Sequence, residues 1–175
     1  MVLDLKKAEI RHNNEWYKKA GTAFLYDLLS KVTVQRATER DDFQKRIEKG
    51  KPISLHELFY PLLQGYDSIA MDVDVEIGGN DQTFNMLVGR DLMKSLKNKE
   101  KFVMTTPLLS DSKGIKIGKS EGNTIGLTDK PSELYGKIMS LGDDAIIPMF
   151  TLLTDVPPEE IKNFNIKKEA MVLKK

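Results

Sequence analysis

The stretch Val75-Glu-Ile-Gly-Gly-Asn-Asp-Gln82 leaves this chain few choices of fold. Val73, Val75 and Ile77 alternate with acidic residues, the period of a strand, and the strand stops at Gly78-Gly79. After Gln82, the residues Phe84, Leu87, Val88, Leu92 and Leu96 recur at helical spacing. Strand, glycine turn, polar pair and helix N-terminus therefore follow one another without a break. In an α/β sheet, ligands gather at such a place, just beyond the carboxyl end of a strand. The glycines lack Cβ, so a sugar or phosphate can approach the backbone closely. Asp81 offers a carboxylate that can accept both hydroxyls of a ribose, and Gln82 offers a donor and an acceptor together. The plainer alternative is a Gly-Gly turn with Asn80 or Asp81 capping the helix. Taken alone, the stretch fits both.

Upstream, Ser54-Leu-His-Glu57 has the form of a capping box and predicts a helix running to about Ala70. Pro61 falls in its interior, where it removes a hydrogen bond and predicts a kink. Leu55, Leu58, Phe59, Leu62, Leu63 and Ile69 make the helix mostly apolar, so the expectation is that it is largely buried. Tyr60, Gln64 and Asp67 nonetheless stand at i, i+4 and i+7, within about 60° of one another around the axis. A polar stripe on an apolar helix is costly unless something satisfies it. Either the three bond to other protein groups, or they line a pocket for a small polar ligand.

The other segments read as follows. After an exposed lead-in, Ala8 to Arg11 has the pattern of a short strand, and Glu15 to Lys19 that of a helical turn carrying the only tryptophan. Thr22 is placed to cap a helix bearing Phe24, Leu25, Leu28 and Leu29. Asp41 opens a short charged helix that Gly50 stops. Lys101 to Thr106 reads as a second strand, closed by Pro107. Ser110 to Ser120 is a glycine-bearing loop with lysines at 113, 116 and 119. Ammonium groups three residues apart can converge on a polyphosphate, although an exposed loop is the commoner fate of such a run. Pro131 opens a helix through Met139, and Asp143-Asp144 opens one carrying Ile146 to Leu153. Beyond Pro157-Pro158 a short helix starts with Glu159-Glu160, and the lysine-rich end from Lys167 reads as frayed.

Composition removes whole classes of function. Without cysteine there is no disulfide framework and no thiolate metal site, and His12 and His56 are too few and too far apart for a histidine zinc site. No apolar run approaches the roughly 20 residues of a membrane span, and no signal-peptide core heads the chain, so a cytoplasmic protein is the expectation. A net charge of +1 sets no dominant field. The 175 residues suffice for one domain.

Three stretches together resemble tyrosyl-tRNA synthetases of class I: YPLLQGYD from Tyr60 to Asp67, EIGGNDQ with the following Phe84-Asn85, and KIGKS from Lys116 to Ser120. Their order and spacing are similar to that family, as are the flanks Asn14-Glu-Trp16 and Ile125-Gly-Leu-Thr128. The resemblance covers about residues 8 to 161. It implies an α/β fold, the second half of a Rossmann-like nucleotide-binding domain over residues 1–140, with the start of a helical region over 141–175. It further implies ATP-dependent activation of tyrosine and its transfer to tRNA by a homodimeric enzyme, with Mg²⁺ accompanying ATP. Tyr60 and Gln64 resemble the residues that hold the tyrosine ammonium, and Asp67 the carboxylate that bonds the phenol. Gly79 and Asp81 resemble the ribose contacts, and Gln82 the partner of the substrate's carboxyl end. Lys116, Lys119 and Ser120 match the mobile KMSKS-type loop, with Ile117 and Gly118 as departures that keep its character.

One departure has larger consequences. The family's HIGH-type motif is absent, and neither His12 nor His56 stands in its context. The expectation is therefore a fragment or truncated product that does not activate tyrosine by itself. Half a parallel sheet also leaves strand edges and one apolar face uncovered, which predicts marginal stability or self-association. Two alternatives stand beside this one: a tryptophanyl-tRNA synthetase relative, and a non-catalytic module that kept the scaffold.

Overall fold

The computed structural model describes residues 4, 6–111, 114–118 and 122–163. Expectations for Lys113, Lys119, Ser120 and the lysine-rich end lie outside the described residues. The chain divides into two compact units, residues 9–106 and residues 1–8 with 107–175.

In the first unit, helices come first: α1 (Asn14–Tyr17), α2 (Thr22–Leu29), α3 (Val34–Ala37), α4 (Asp41–Glu48) and α5 (Leu55–Ala70). The strand β1 (Val75–Gly79), a 3-10 turn over Asn80–Gln82, helix α6 (Thr83–Lys97) and strand β2 (Phe102–Thr106) complete it. The two strands pair in parallel, with Val75 opposite Phe102 and Ile77 opposite Met104. Parallel pairing requires a crossover, and α6 supplies it.

The long helix begins and ends where its signals lie. Glu57 Oε1 accepts the Ser54 backbone N–H at 3.0 Å, the returning arm of the capping box. The helix continues through Pro61, which is buried. One side of α5 packs with α2 and α6 in a core of Leu28, Leu62, Ile69, Val88, Leu92 and Met93. The expectation of a largely buried helix is corrected, because Leu55 is 70% and Tyr60 58% exposed. Helices α5 and α6 come close together at Gly65 and Gly89, where a Cβ on Gly65 would stand 3.1 Å from the Gly89 Cα.

Three further expectations are adjusted. Ala8 to Arg11 is not a strand; it lies exposed, and Arg11 pairs with Glu15 in the first turn of α1. Gly21, not Thr22, occupies the cap of α2. The helix α3, with Thr33 Oγ1 accepting the Arg36 N–H, stands between the Thr22 and Asp41 helices, where the sequence reading places no helix.

The second unit carries α7 (Pro131–Met139), α8 (Ile146–Leu153) and α9 (Pro158–Lys162). Ile146, Phe150 and Ile161 form its buried cluster, with Ile147 and Val156 packed against it. Among the described residues, no helix is long and apolar enough to cross a membrane.

Candidate functional site

The polar stripe of α5 faces the glycine turn after β1, and most of the site is built between them. Gln64 Nε2 donates to Glu76 Oε1 at 3.4 Å, and Gln64 Oε1 accepts from Asn85 Nδ2 at 3.1 Å. The same Asn85 Nδ2 donates to Gln82 Oε1 at 3.2 Å. Two helices and a turn thus bring Gln64 and Gln82 onto one asparagine. Asp67, one turn further along α5, accepts from Trp16 Nε1 at 2.9 Å. The neighbouring Tyr17 hydroxyl donates to the Leu63 carbonyl at 2.6 Å.

Electrostatics distinguish Asp67 from the surface carboxylates. Burial pushes its carboxyl up from the ordinary range, opposed by hydrogen bonds from Trp16, Tyr17 and Asn13. Burial, with the Asp67 carboxylate second, pushes the Tyr17 phenol up as well. A half-buried carboxylate with remaining lone pairs is a ready acceptor for a ligand hydroxyl.

Beneath the site lies a group that the sequence does not announce. Lys101 is 2% exposed, and its ammonium donates to Glu76 Oε2, to Ser68 Oγ at 2.8 Å and to the Met86 carbonyl at 3.3 Å. Ser68 Oγ also donates to Glu76 Oε2 at 3.2 Å. In the sequence Lys-Asn-Lys-Glu-Lys101, a lysine reads as solvated, and nothing local separates it from its neighbours. Asn85 is 2% exposed, and its Oδ1 has no hydrogen-bond partner.

The remaining predicted residues are less gathered. Tyr60 lies on the stripe of α5 but is exposed. Gly79 ends β1, and Asp81 stands exposed in the turn, on an open cleft of about 490 Å³ that Arg40, Lys45 and Phe84 also line. In the other unit, Lys116 forms an antiparallel bridge with Ser110, and its carbonyl accepts from Asn123 Nδ2 at 3.0 Å. Asn123 Oδ1 accepts the Gly118 N–H at 2.8 Å, so this asparagine clasps the loop on both sides of Ile117.

Comparison with known proteins adds three findings. The family model for tRNA synthetases class I (W and Y) matches residues 1–175. The tyrosine–tRNA ligase of Ralstonia nicotianae is 48% identical over 162 residues, 92% of this chain and 41% of that protein. The chain therefore spans about two fifths of the length of that relative. Among solved structures, the C-terminally truncated mitochondrial tyrosyl-tRNA synthetase of Aspergillus nidulans is similar, with a TM-score of 0.60, 26% identity, and coverage of 91% of this chain and 47% of that one. The tyrosyl-tRNA synthetase of Aeropyrum pernix shares the fold, with a TM-score of 0.65 at 17% identity over 87% of this chain and 52% of that one.

Proposed function

Because the chain belongs to the class I tRNA synthetases for tryptophan and tyrosine, we propose that it forms one wall of the site at which a tyrosine–tRNA ligase activates tyrosine with ATP. The observation that carries this proposal is the alignment of a half-buried carboxylate, Asp67, with two amides, Gln64 and Gln82, joined through Asn85. A phenol donates to a carboxylate, an ammonium donates to an amide oxygen, and a carboxylate accepts from an amide N–H. Tyrosine carries those three groups. The site so assembled favours a hydroxyl, since phenylalanine would leave a lone pair of the half-buried Asp67 without the further donor that a phenol supplies beside Trp16.

In this proposal Tyr60 and Gln64 receive the amino group, Asp67 the phenol, Gln82 the carboxyl end, and Gly79 with Asp81 the ribose of ATP. The tyrosine carboxylate attacks the α-phosphorus of ATP, the bond to pyrophosphate breaks, and the adenylate then transfers its acyl group to tRNA. No side-chain nucleophile is needed; alignment and charge stabilisation suffice. Lys116, Lys119 and Ser120 would meet charge developing on the leaving pyrophosphate, and Mg²⁺ arrives as part of the ATP substrate, held by phosphate oxygens. Homodimerisation and a cytoplasmic setting belong to the same proposal. Naming tyrosine in place of tryptophan rests on Asp67, because a phenol matches the acceptor placed there.

The test is amino-acid-dependent pyrophosphate exchange in a complete enzyme carrying this stretch. Asp67→Ala is expected to lower the preference for tyrosine over phenylalanine by roughly ten- to hundred-fold, the effect of losing a hydrogen bond to a charged group. ATP affinity should change little. Equal loss for both amino acids would reduce Asp67 to a structural residue, and exchange with tryptophan alone would overturn the substrate assignment.

A further inference from the structure

Lys101 has no part in the roles above, yet its position is specifically prepared. A Cβ at Gly89 would stand 2.6 Å from its Nζ, so the ammonium fits only because position 89 is glycine. The side chain is wholly enclosed where β2 begins, under the α5–α6 contact. A buried ammonium is costly unless its surroundings are built around it.

The hydrogen bonds that start at Lys101 have a direction. An ammonium only donates, so its three partners, Glu76 Oε2, Ser68 Oγ and the Met86 carbonyl, all accept from it. A carboxylate accepts from any partner, so what Lys101 adds is place: it holds Glu76 where Oε1 takes the amide N–H of Gln64. With Nε2 committed, Gln64 turns Oε1 to Asn85 Nδ2, and that same group takes Gln82 Oε1. Gln82 Nε2 is left on the side away from Asn85. An isolated amide rotates by half a turn at little cost, and exchanges donor for acceptor as it does so. In this series the choice at each amide is made by the one before it. Asn85 Oδ1 remains buried without a partner, so Asn85 is placed for what it donates and not for its own satisfaction.

We infer that Lys101 is a positioning residue which, through Glu76, Gln64 and Asn85, fixes an acceptor at Gln64 and a donor at Gln82 to receive the two charged groups of a zwitterionic amino acid. Gln64 Oε1 keeps a second lone pair for the ammonium, and Gln82 Nε2 is free to meet the carboxylate. The inference rests on the function proposed above, in which both glutamines face the amino-acid head.

The experiment measures binding of tyrosine and of p-cresol, which has the ring and phenol but neither charged group, to a complete enzyme carrying this stretch. Lys101→Met keeps the length and apolar stem while removing the charge. It is expected to weaken tyrosine by roughly ten- to hundred-fold and p-cresol by less than about twofold. A second variant, Lys101→Met with Glu76→Gln, removes the carboxylate left unpaired and so protects the fold, as thermal unfolding will register. Tyrosine affinity should stay low in it, because an amide at 76 can itself face either way. Equal weakening of both ligands, or recovery of tyrosine affinity in the double variant, would overturn the inference. Failure of the unmodified enzyme to bind tyrosine would instead overturn the proposed function, and this inference with it.

Discussion

On one face of the two-stranded sheet, Glu76 meets a buried ammonium and the amide of Gln64; on the other, Val75, Ile77, Phe102 and Met104 lie 47%, 66%, 70% and 56% exposed. The register aligns the apolar four in two cross-strand pairs, Val75 with Phe102 and Ile77 with Met104. Parallel strands ordinarily have both faces covered and apolar. Here the covered face carries the charges. The difference teaches that the inner face is shaped by the site above it, since a buried ion pair contributes less stability than well-packed apolar groups of the same volume. The outer face follows the usual preference for β-branched and aromatic residues, and as a free surface it favours self-association.

The largest effect should come from disturbing the inner face. Gly89→Ala places a methyl group 2.6 Å from Lys101 Nζ and 3.2 Å from the Gly65 Cα. The lysine cannot yield without breaking its pair with Glu76, and the Gly65 backbone cannot yield without separating the helices. Overpacking of this kind should destabilise the unit by about 2–3 kcal/mol. Urea unfolding followed by Trp16 fluorescence reports on the same unit, because that ring is bonded to Asp67 on α5. A loss below about 0.5 kcal/mol would mean that the inner face is slack.

A smaller effect on stability is expected from the outer face. Ile77→Thr and Phe102→Thr keep strand propensity while removing apolar surface. Each should change the unfolding free energy by no more than about 0.5 kcal/mol. Sedimentation should show less self-association in the double variant than in the parent chain. If these substitutions cost as much as Gly89→Ala, the contrast between the faces fails.

Local signals were enough for much of this architecture. The capping box at Ser54 and Glu57 marks the start of α5, Pro131 that of α7, and the left-handed Gly50 lies just beyond α4. Gln64, Asp67 and Gln82 are legible as candidates because helical spacing and the glycine turn are properties of adjacent residues. What holds them was not legible. Alternation along Val75 to Gly79 defines two faces without saying which is inside. That is decided by Lys101, 25 positions from Glu76, whose ammonium lies where a Cβ at Gly89 would stand in its way. Trp16 and Asp67 are likewise joined over a separation of 51 residues. Such pairings depend on how elements pack, and no local pattern carries them.

The half-buried counterpart of the enclosed pair gives the finest comparison. Arg46 bonds both carboxylate oxygens of Glu57 at the head of α5, at 2.5 and 3.0 Å. The Arg46 hydrogen bonds, followed by the Ser54 N–H, hold the Glu57 carboxyl down to about 2 from an ordinary 4.5. A carboxyl lowered by folding binds its proton more readily in the unfolded chain. Its contribution to stability is therefore complete above 4.5 and is lost as the pH falls from there through about 2. Other carboxyls titrate in the same window, so the informative quantity is the difference between the parent and Glu57→Gln. That difference should shrink as the pH falls through the window, and it should also shrink on adding salt, because water reaches part of the pair. The effect of Lys101→Met on stability should resist salt, because its ammonium is enclosed. Equal salt sensitivity of the two would show that water reaches the inner face of the sheet as freely as it reaches the head of α5.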